Sequence, residues 1–176
     1  MKIYFNGFVK AVCTLAAAFM SLAGIQSCCR CSSGDFTKEE SSLIREFSSG
    51  KSVQGTPEGT MRVLTIADSC DNALLRRKSR DLSAKALLSE DYAALERLMV
   101  ATVTHPSQDG VGIAGPQVGL NRRVVAVQRF DKEGEPFEVY PNVRIVWASD
   151  SLAYGPEGCL SVPDRREEVQ IGRAHV

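Results

Sequence analysis

The sequence predicts an α+β fold with antiparallel sheets around a helix, and three observations carry that expectation. Leu88, Tyr92, Leu95 and Met99 recur at i, i+4, i+7 and i+11, one stripe of an amphipathic helix. Residues 123–127, 137–140 and 143–147 are short runs with strand character, and Asp131-Lys132-Glu133-Gly134-Glu135-Pro136 makes a turn between the first two. A chain of 176 residues, with 21 basic and 21 acidic side chains and an ordinary apolar fraction, is long enough for one domain with a real core. The charge balance gives no footing for a polyanion. The longest basic cluster, Arg76-Arg77-Lys78, is flanked by Asp71 and Asp81 and reads as a solvated face, so no nucleic-acid partner is expected.

In chain order, residues 1–27 read as a signal peptide. Lys2 and Lys10 are its only charges, an apolar stretch fills residues 11–25, and small residues stand at its end. A membrane span needs about 20 apolar residues, and this stretch falls short. Ile25-Gln26-Ser27-Cys28 resembles a bacterial lipobox, which implies lipidation of Cys28 and membrane attachment through it. The expected location is exported, as a membrane-anchored lipoprotein facing the periplasm, with the cytoplasm as the alternative. Without this segment 19 basic residues face 21 acidic ones, a net charge of −2.

Of the six cysteines, Cys13 lies in the signal and Cys28, Cys29 and Cys31 crowd its end. No second ligand pair follows them at zinc-site spacing. Cys70 reads as an ordinary, partly buried thiol. Residues 28–60, rich in Ser, Gly, Thr and charge, read as a flexible polar linker in which Leu43, Ile44 and Phe47 support at most one transient helical turn. The folded domain is expected to begin near Met61. Residues 62–66 are a short strand or extended lead-in, and residues 71–76 a brief polar segment. Ser83 or Ser89 can cap the amphipathic helix, Glu90 and Asp91 suit the positive end of its dipole, and Pro106 stops it.

The helix leads into Gly110-Val111-Gly112-Ile113-Ala114-Gly115-Pro116-Gln117-Val118-Gly119. Four glycines and a proline in ten residues suit a stiff, buried loop rather than a linker. Gln117 is its one polar side chain, and an amide held by such a loop can donate to a developing oxyanion. A second unusual stretch, Gly155-Pro156-Glu157-Gly158-Cys159-Leu160-Ser161-Val162-Pro163, holds the backbone around a single cysteine. Cys159 could be a nucleophile, a metal ligand or a buried thiol. His105 and His175 are the chain's two histidines, and His105, ahead of Pro106, suits a local partner at the helix end.

Residues 110–117 resemble the first signature of peptide deformylases, G-x-G-x-A-A-P-Q, with glycine at Gly115 where alanine is usual. Residues 157–161 match the second signature, E-G-C-L-S, at every position. The resemblance covers roughly residues 61–170 and implies a peptide-deformylase-like fold. It implies a metal-dependent amidase that removes the formyl group from the N-terminal formylmethionine of peptides and releases formate. The implied partners are N-formylmethionyl peptides, and the implied cofactor is Fe2+, alternatively Zn2+ or Ni2+. Cys159 is then one metal ligand; two histidines of an H-E-x-x-H helix are the others, with its glutamate as general base. The Gln117 amide and the Leu160 backbone N–H would meet the oxyanion. Val111 and Gly112, with Gly158 opposite, would line the substrate backbone as an added strand does.

No H-E-x-x-H occurs in the 176 residues. The expectation is therefore the N-terminal portion of a deformylase domain over 61–170, incomplete at the C-terminus. Such a chain has one of three metal ligands, no general base and no activity, and an apolar sheet face is left uncovered. Residues 171–176 can be back-translated as ATC GGA AGA GCA CAC GTC, and the expectation is read-through into a common sequencing adapter rather than a natural short tail. They are set aside from the fold, and His175 from the ligands. Two other readings stand beside this one. An exported, non-catalytic binding protein could reuse a partial deformylase fold, although intact Gln117 and Cys159 argue against it. An envelope-facing enzyme could act on exported formyl-peptides.

Overall fold

The computed structural model describes residues 34–50, 52–53 and 55–175, with the backbone alone for 173–175. The signal and lipobox readings, and Cys13, Cys28, Cys29 and Cys31 with them, lie outside the described residues. In chain order the elements are α1 (Lys38–Ser48), α2 (Ser69–Leu75), α3 (Ala84–Leu87), α4 (Glu90–Thr104), β1 (Gly112–Ala114), a 3-10 turn (Gly115–Val118), β2 (Val124–Gln128), β3 (Phe137–Pro141), β4 (Trp147–Cys159) and β5 (Val162–His175). The α+β class with antiparallel sheets holds.

Two serines set the helices around the core. The Ser83 hydroxyl accepts the Ala86 N–H at 3.0 Å and starts α3; the Ser89 hydroxyl accepts the Tyr92 N–H at 3.2 Å and starts α4. Glu90 and Asp91 occupy the first turn of α4, and the helix ends where His105 turns to extended backbone before Pro106. Tyr92, Leu95, Met99 and Val103 are buried along one side. Leu88 is a correction to the expected stripe: it lies between the two caps, outside α4, and is 90% exposed.

The buried stripe packs on an antiparallel sheet of order β1-β2-β3, to which Ile113, Val124 and Ala126 contribute. β1 is an edge strand. β4 and β5 form a separate two-stranded hairpin, joined at Leu160 and Ser161. The expected strand over 143–147 is corrected: residues 143–146 are not in a strand, Ile145 and Val146 are exposed, and β4 begins at Trp147. Residues 62–65 form no strand, and Ile66 already lies in the turn before α2. The backbone of β5 continues beyond residue 170, with Ile171 opposite Ala153 and Gly172 opposite Leu152. Leu152 and Tyr154 stand exposed on the hairpin.

The linker over 28–60 is the largest correction, because α1 lies inside it. Thr37 Oγ1 accepts the Glu40 N–H at 3.2 Å, and the Glu40 carboxylate accepts the Thr37 N–H at 2.8 Å, a reciprocal capping box. Ile44 and Phe47, at 0% and 4% exposure, belong to the core. Arg45 holds Asp91 of α4 through two hydrogen bonds of 3.0 and 3.2 Å. Packing therefore begins well before Met61. Two buried apolar side chains and a capped first turn outweigh a polar composition that is solvated on the other face. Ile44→Ala is expected to lower the unfolding free energy in urea by about 2–5 kcal/mol. A change below about 0.5 kcal/mol, the level of an unconstrained surface site, would return this segment to a tether.

Candidate functional site

The glycine loop is held from both ends. After α4 the chain turns at His105, whose carbonyl accepts the Gln108 N–H at 2.8 Å and the Asp109 N–H at 3.1 Å. The Gly110 N–H then returns to the Val103 carbonyl at 3.1 Å. Gly110 lets the segments pack closely, since a Cβ would stand 3.0 Å from both Val103 Cγ2 and Leu160 Cδ1. The two stretches singled out in the sequence thus meet at this glycine. Beyond it β1 gives way to the 3-10 turn, and Gln117 projects from that turn.

Both ends of the Gln117 side chain are engaged. Its Oε1 accepts the Ala114 N–H at 2.9 Å. That bond fixes the amide plane, so Nε2 faces the hairpin, with Ser161 Oγ at 3.3 Å and Cys159 Sγ at 3.8 Å. One NH2 group has two hydrogens and can serve both. Cys159 is exposed at the end of β4, which removes the buried-thiol reading, and Ser161 is buried. Cys70 is also exposed, against the expectation of partial burial.

The outer edge of β1 lies beside this amide. The Val111 carbonyl accepts the Gln128 N–H at 2.8 Å and so faces β2. Alternation along a strand then turns the Gly112 N–H and C=O outward, on the side where Ala114 meets Gln117. Val111 is exposed, Gly112 half-buried, and Gly158 exposed on the hairpin opposite Arg166. An extended chain laid along β1 would therefore run towards the Gln117 amide.

A third segment ties the two stretches together. The Leu64 N–H donates to the Gln117 carbonyl at 2.8 Å, and the Ile66 N–H to the Ser161 carbonyl at 2.9 Å. Sequence reasoning missed this role and that of Ser161 as an acceptor for Gln117; the alternating spacing of 64 and 66 was the available signal. A cavity of about 450 Å3 opens beside this segment, lined by Arg62, Thr65, His105, Gln108, Leu160 and Pro163. Cys159 and Gln117 do not line it. His105 is engaged locally, with Nδ1 2.8 Å from Ser107 Oγ, as expected of a helix-end partner.

Comparison with known proteins gives the same answer from sequence and from fold. The family model described as polypeptide deformylase matches residues 62–174. The peptide deformylase of Leptospira biflexa is 35% identical over 107 residues, covering 56% of this chain and 58% of that protein. The chain thus spans less than two thirds of that relative's length. A class I type b peptide deformylase from Acinetobacter baumannii superposes with a TM-score of 0.54 at 34% identity, over 65% of this chain and 70% of that one. The same enzyme in its Met-Ala-Ser-bound crystal structure gives 0.52 at 32% identity, over 65% and 71%.

The bridging segment has its own anchor. Arg62 Nη1 and Nη2 reach Asp71 at 2.8 and 2.6 Å, and the Thr65 N–H adds a bond of 3.2 Å to the same carboxylate. Hydrogen bonding from Arg62 holds the Asp71 carboxyl below the usual carboxylate range, overcoming the upward push of burial with help from Thr65. A carboxyl lowered in the folded state contributes stability above its unfolded pKa, and that stability drains as pH falls through the folded value. Wild-type stability is therefore expected to fall as pH drops below about 4, and Asp71→Asn to flatten that part of the profile. Chemical denaturation at a series of pH values measures this; parallel profiles for the two proteins would refute it.

Proposed function

We propose that this chain, which belongs to the peptide deformylase family, binds N-formylmethionyl peptides and holds their formyl oxygen as one part of a formyl-hydrolysing site. The observation that carries the reading is the Gln117 amide, fixed through Ala114 and aimed at Cys159. In this reading Gln117 Nε2 and the Leu160 backbone N–H are the oxyanion donors. The peptide backbone pairs with the outer edge of β1 at Val111 and Gly112, with Gly158 across from it. Edge pairing supplies affinity through main-chain bonds, and the fixed amide orients the formyl group without reorganising.

The family implies a metal, read as Fe2+ with Zn2+ or Ni2+ as alternatives. Cys159 would contribute one thiolate ligand. Among the described residues no three His, Cys, Asp or Glu side chains gather to hold an ion. That donor set does not fit a catalytic metal, which needs about three protein ligands, and no step is routed through one. What the described residues support is binding and orientation of the formyl group.

We place the protein at the cell envelope, attached through a lipid on Cys28, with the cytoplasm as the alternative. The positively charged start, the apolar segment and the lipobox-like residues support this reading.

Binding and turnover separate in the test. Titration with formyl-Met-Ala-Ser is expected to shift the amide signals of Gly112, Ala114 and Leu160. Gln117→Ala removes one hydrogen bond of about 1 kcal/mol and should weaken binding about fivefold. Formate release is expected to remain at background with Fe2+, Zn2+ or Ni2+ added. Metal-dependent release by the purified chain would overturn the inactive half, and silence at those three amides would overturn the binding half. Metabolic labelling with palmitate should mark the native protein and not Cys28→Ser; no label on the native protein would sink the anchor.

A further inference from the structure

The family match begins at residue 62, so α1 lies wholly outside it. Yet α1 carries the carboxylate that neutralises a fully buried charge within the matched span. The Arg122 side chain has 0% exposure. Its Nε and Nη2 donate to Glu40 Oε1 and Oε2 at 2.8 and 2.6 Å, a bidentate pair. Nη1 donates to the Asp81 carbonyl at 3.2 Å, Nη2 also to the Asp35 carbonyl, and the guanidinium lies 5.8 Å from the Phe36 ring centre. Glu40 is in turn locked by the capping box to Thr37.

The backbone around Arg122 presses on the glycine loop. The Leu120 N–H donates to the Gly115 carbonyl at 2.9 Å, the Arg122 N–H to the Leu120 carbonyl at 2.6 Å, and the Val124 N–H to the Arg122 carbonyl at 2.9 Å. A Cβ on Gly115 would stand 2.7 Å from the Arg122 oxygen, 2.8 Å from the Leu120 oxygen and 3.0 Å from Val124 Cγ1. The first two contacts are to backbone, which cannot step aside as a side chain can. Gly115 is also the position at which the chain departs from the signature, having glycine where alanine is usual. The departure and the close turn are one feature: the chain that follows Gln117 folds back onto the residue two places before it.

We propose that Glu40 and Arg122 are positioning residues for Gln117. Through this ion pair α1 draws the 120–122 turn onto Gly115 and sets the 3-10 turn from which the Gln117 amide projects. Its functional meaning rests on Gln117 being the oxyanion donor; the geometry does not. Removing the carboxylate takes away the bidentate acceptor of a buried guanidinium, so the turn is expected to shift as the guanidinium seeks replacement acceptors. The Ala114 N–H, bonded to Gln117 Oε1, reports the amide's placement, and the Leu120 N–H reports the turn.

Hydrogen exchange on the ligand-free chain tests this without any assay of peptide binding, so its failure is distinguishable from failure of the functional reading. Glu40→Gln is expected to speed exchange at Ala114 and Leu120 about tenfold while residues 95–103 of α4 keep their protection. Gly115→Ala is expected to do the same alone and to add little to Glu40→Gln, because the relaxed turn makes room for the methyl. Arg45→Ala removes the separate α1–α4 ion pair and should leave both reporters within about twofold. Unchanged reporters in Glu40→Gln, or an equal effect from Arg45→Ala, would overturn the proposal, since α1 would then only be a docked helix. Strict additivity of Glu40→Gln and Gly115→Ala would break the link to Gly115. Where Glu40→Gln unfolds the whole chain, Glu40→Asp, which keeps the charge and shortens its reach, is judged by the same criteria.

Discussion

A guanidinium without access to water must be surrounded by acceptors, and the satisfaction of Arg122 constrains much of this fold. Among the described residues its guanidinium is bonded to Asp35 and Glu40 at α1 and to Asp81 before α3. Breaking such a pair by removing one partner costs about 3–5 kcal/mol, although an apolar replacement of both can be neutral. The pair is therefore better understood as a device for specificity than as a source of net stability. Satisfying the charge ties those segments to the turn that carries Arg122. Asn142, just past β3, reinforces it: its side-chain amide bonds the Leu82 backbone in both directions, at 2.7 and 2.9 Å. Asn142 has φ +56, a region that asparagine tolerates better than most residues.

From that anchor the consequences run to the site through short steps. The turn at Arg122 closes on Gly115, the 3-10 turn places Gln117, and the Ala114 N–H fixes which end of the amide points outward. On the other side, Leu160 packs against Gly110 and brings Cys159 and Ser161 within reach of the amide. Residues 64–66 then bond one carbonyl of each stretch, so the loop and the hairpin cannot drift apart independently. Most of these steps are backbone hydrogen bonds or close backbone contacts at Gly115, which makes the placement of Gln117 stiff.

The parts of this arrangement that were legible in the sequence are those with local causes. Ser89, Glu90 and Asp91 announce α4, the run at 123–127 announces β2, and the two motifs locate Gln117 and Cys159. What escaped has distant causes. Helix α1 reads as linker because its composition is polar, and its two core residues matter only once α4 is there to receive them. Leu88 fits the helical period and yet lies outside the helix, because the cap at Ser89 and not the period decides where α4 begins. Residues 143–146 look like a strand by composition but find no ladder, while β4 takes in Gly155, Pro156 and Gly158, which have poor strand propensity, because β5 pairs alongside. The Arg122–Glu40 pair spans 82 positions, and no pattern of charge in the chain distinguishes it from the other ion pairs.

The peptide-binding reading makes a sharper demand on the amide than the distances first indicate. Gln117 Nε2 has two hydrogens, and in the free chain its two acceptors are unequal. Ser161 Oγ at 3.3 Å is an oxygen on a buried residue, bonded in turn through its carbonyl to Ile66. Cys159 Sγ at 3.8 Å is a weak acceptor near the limit of sulfur hydrogen bonding, on an exposed residue. A carbonyl oxygen entering from solvent gains most by taking the hydrogen that faces sulfur, because that exchange sacrifices little and leaves the Ser161 bond to hold the amide plane. In that reading the oxygen arrives beside Cys159. Ser161 thus does more than fill the turn: by occupying one hydrogen of Gln117 it leaves a single direction from which the other can be used.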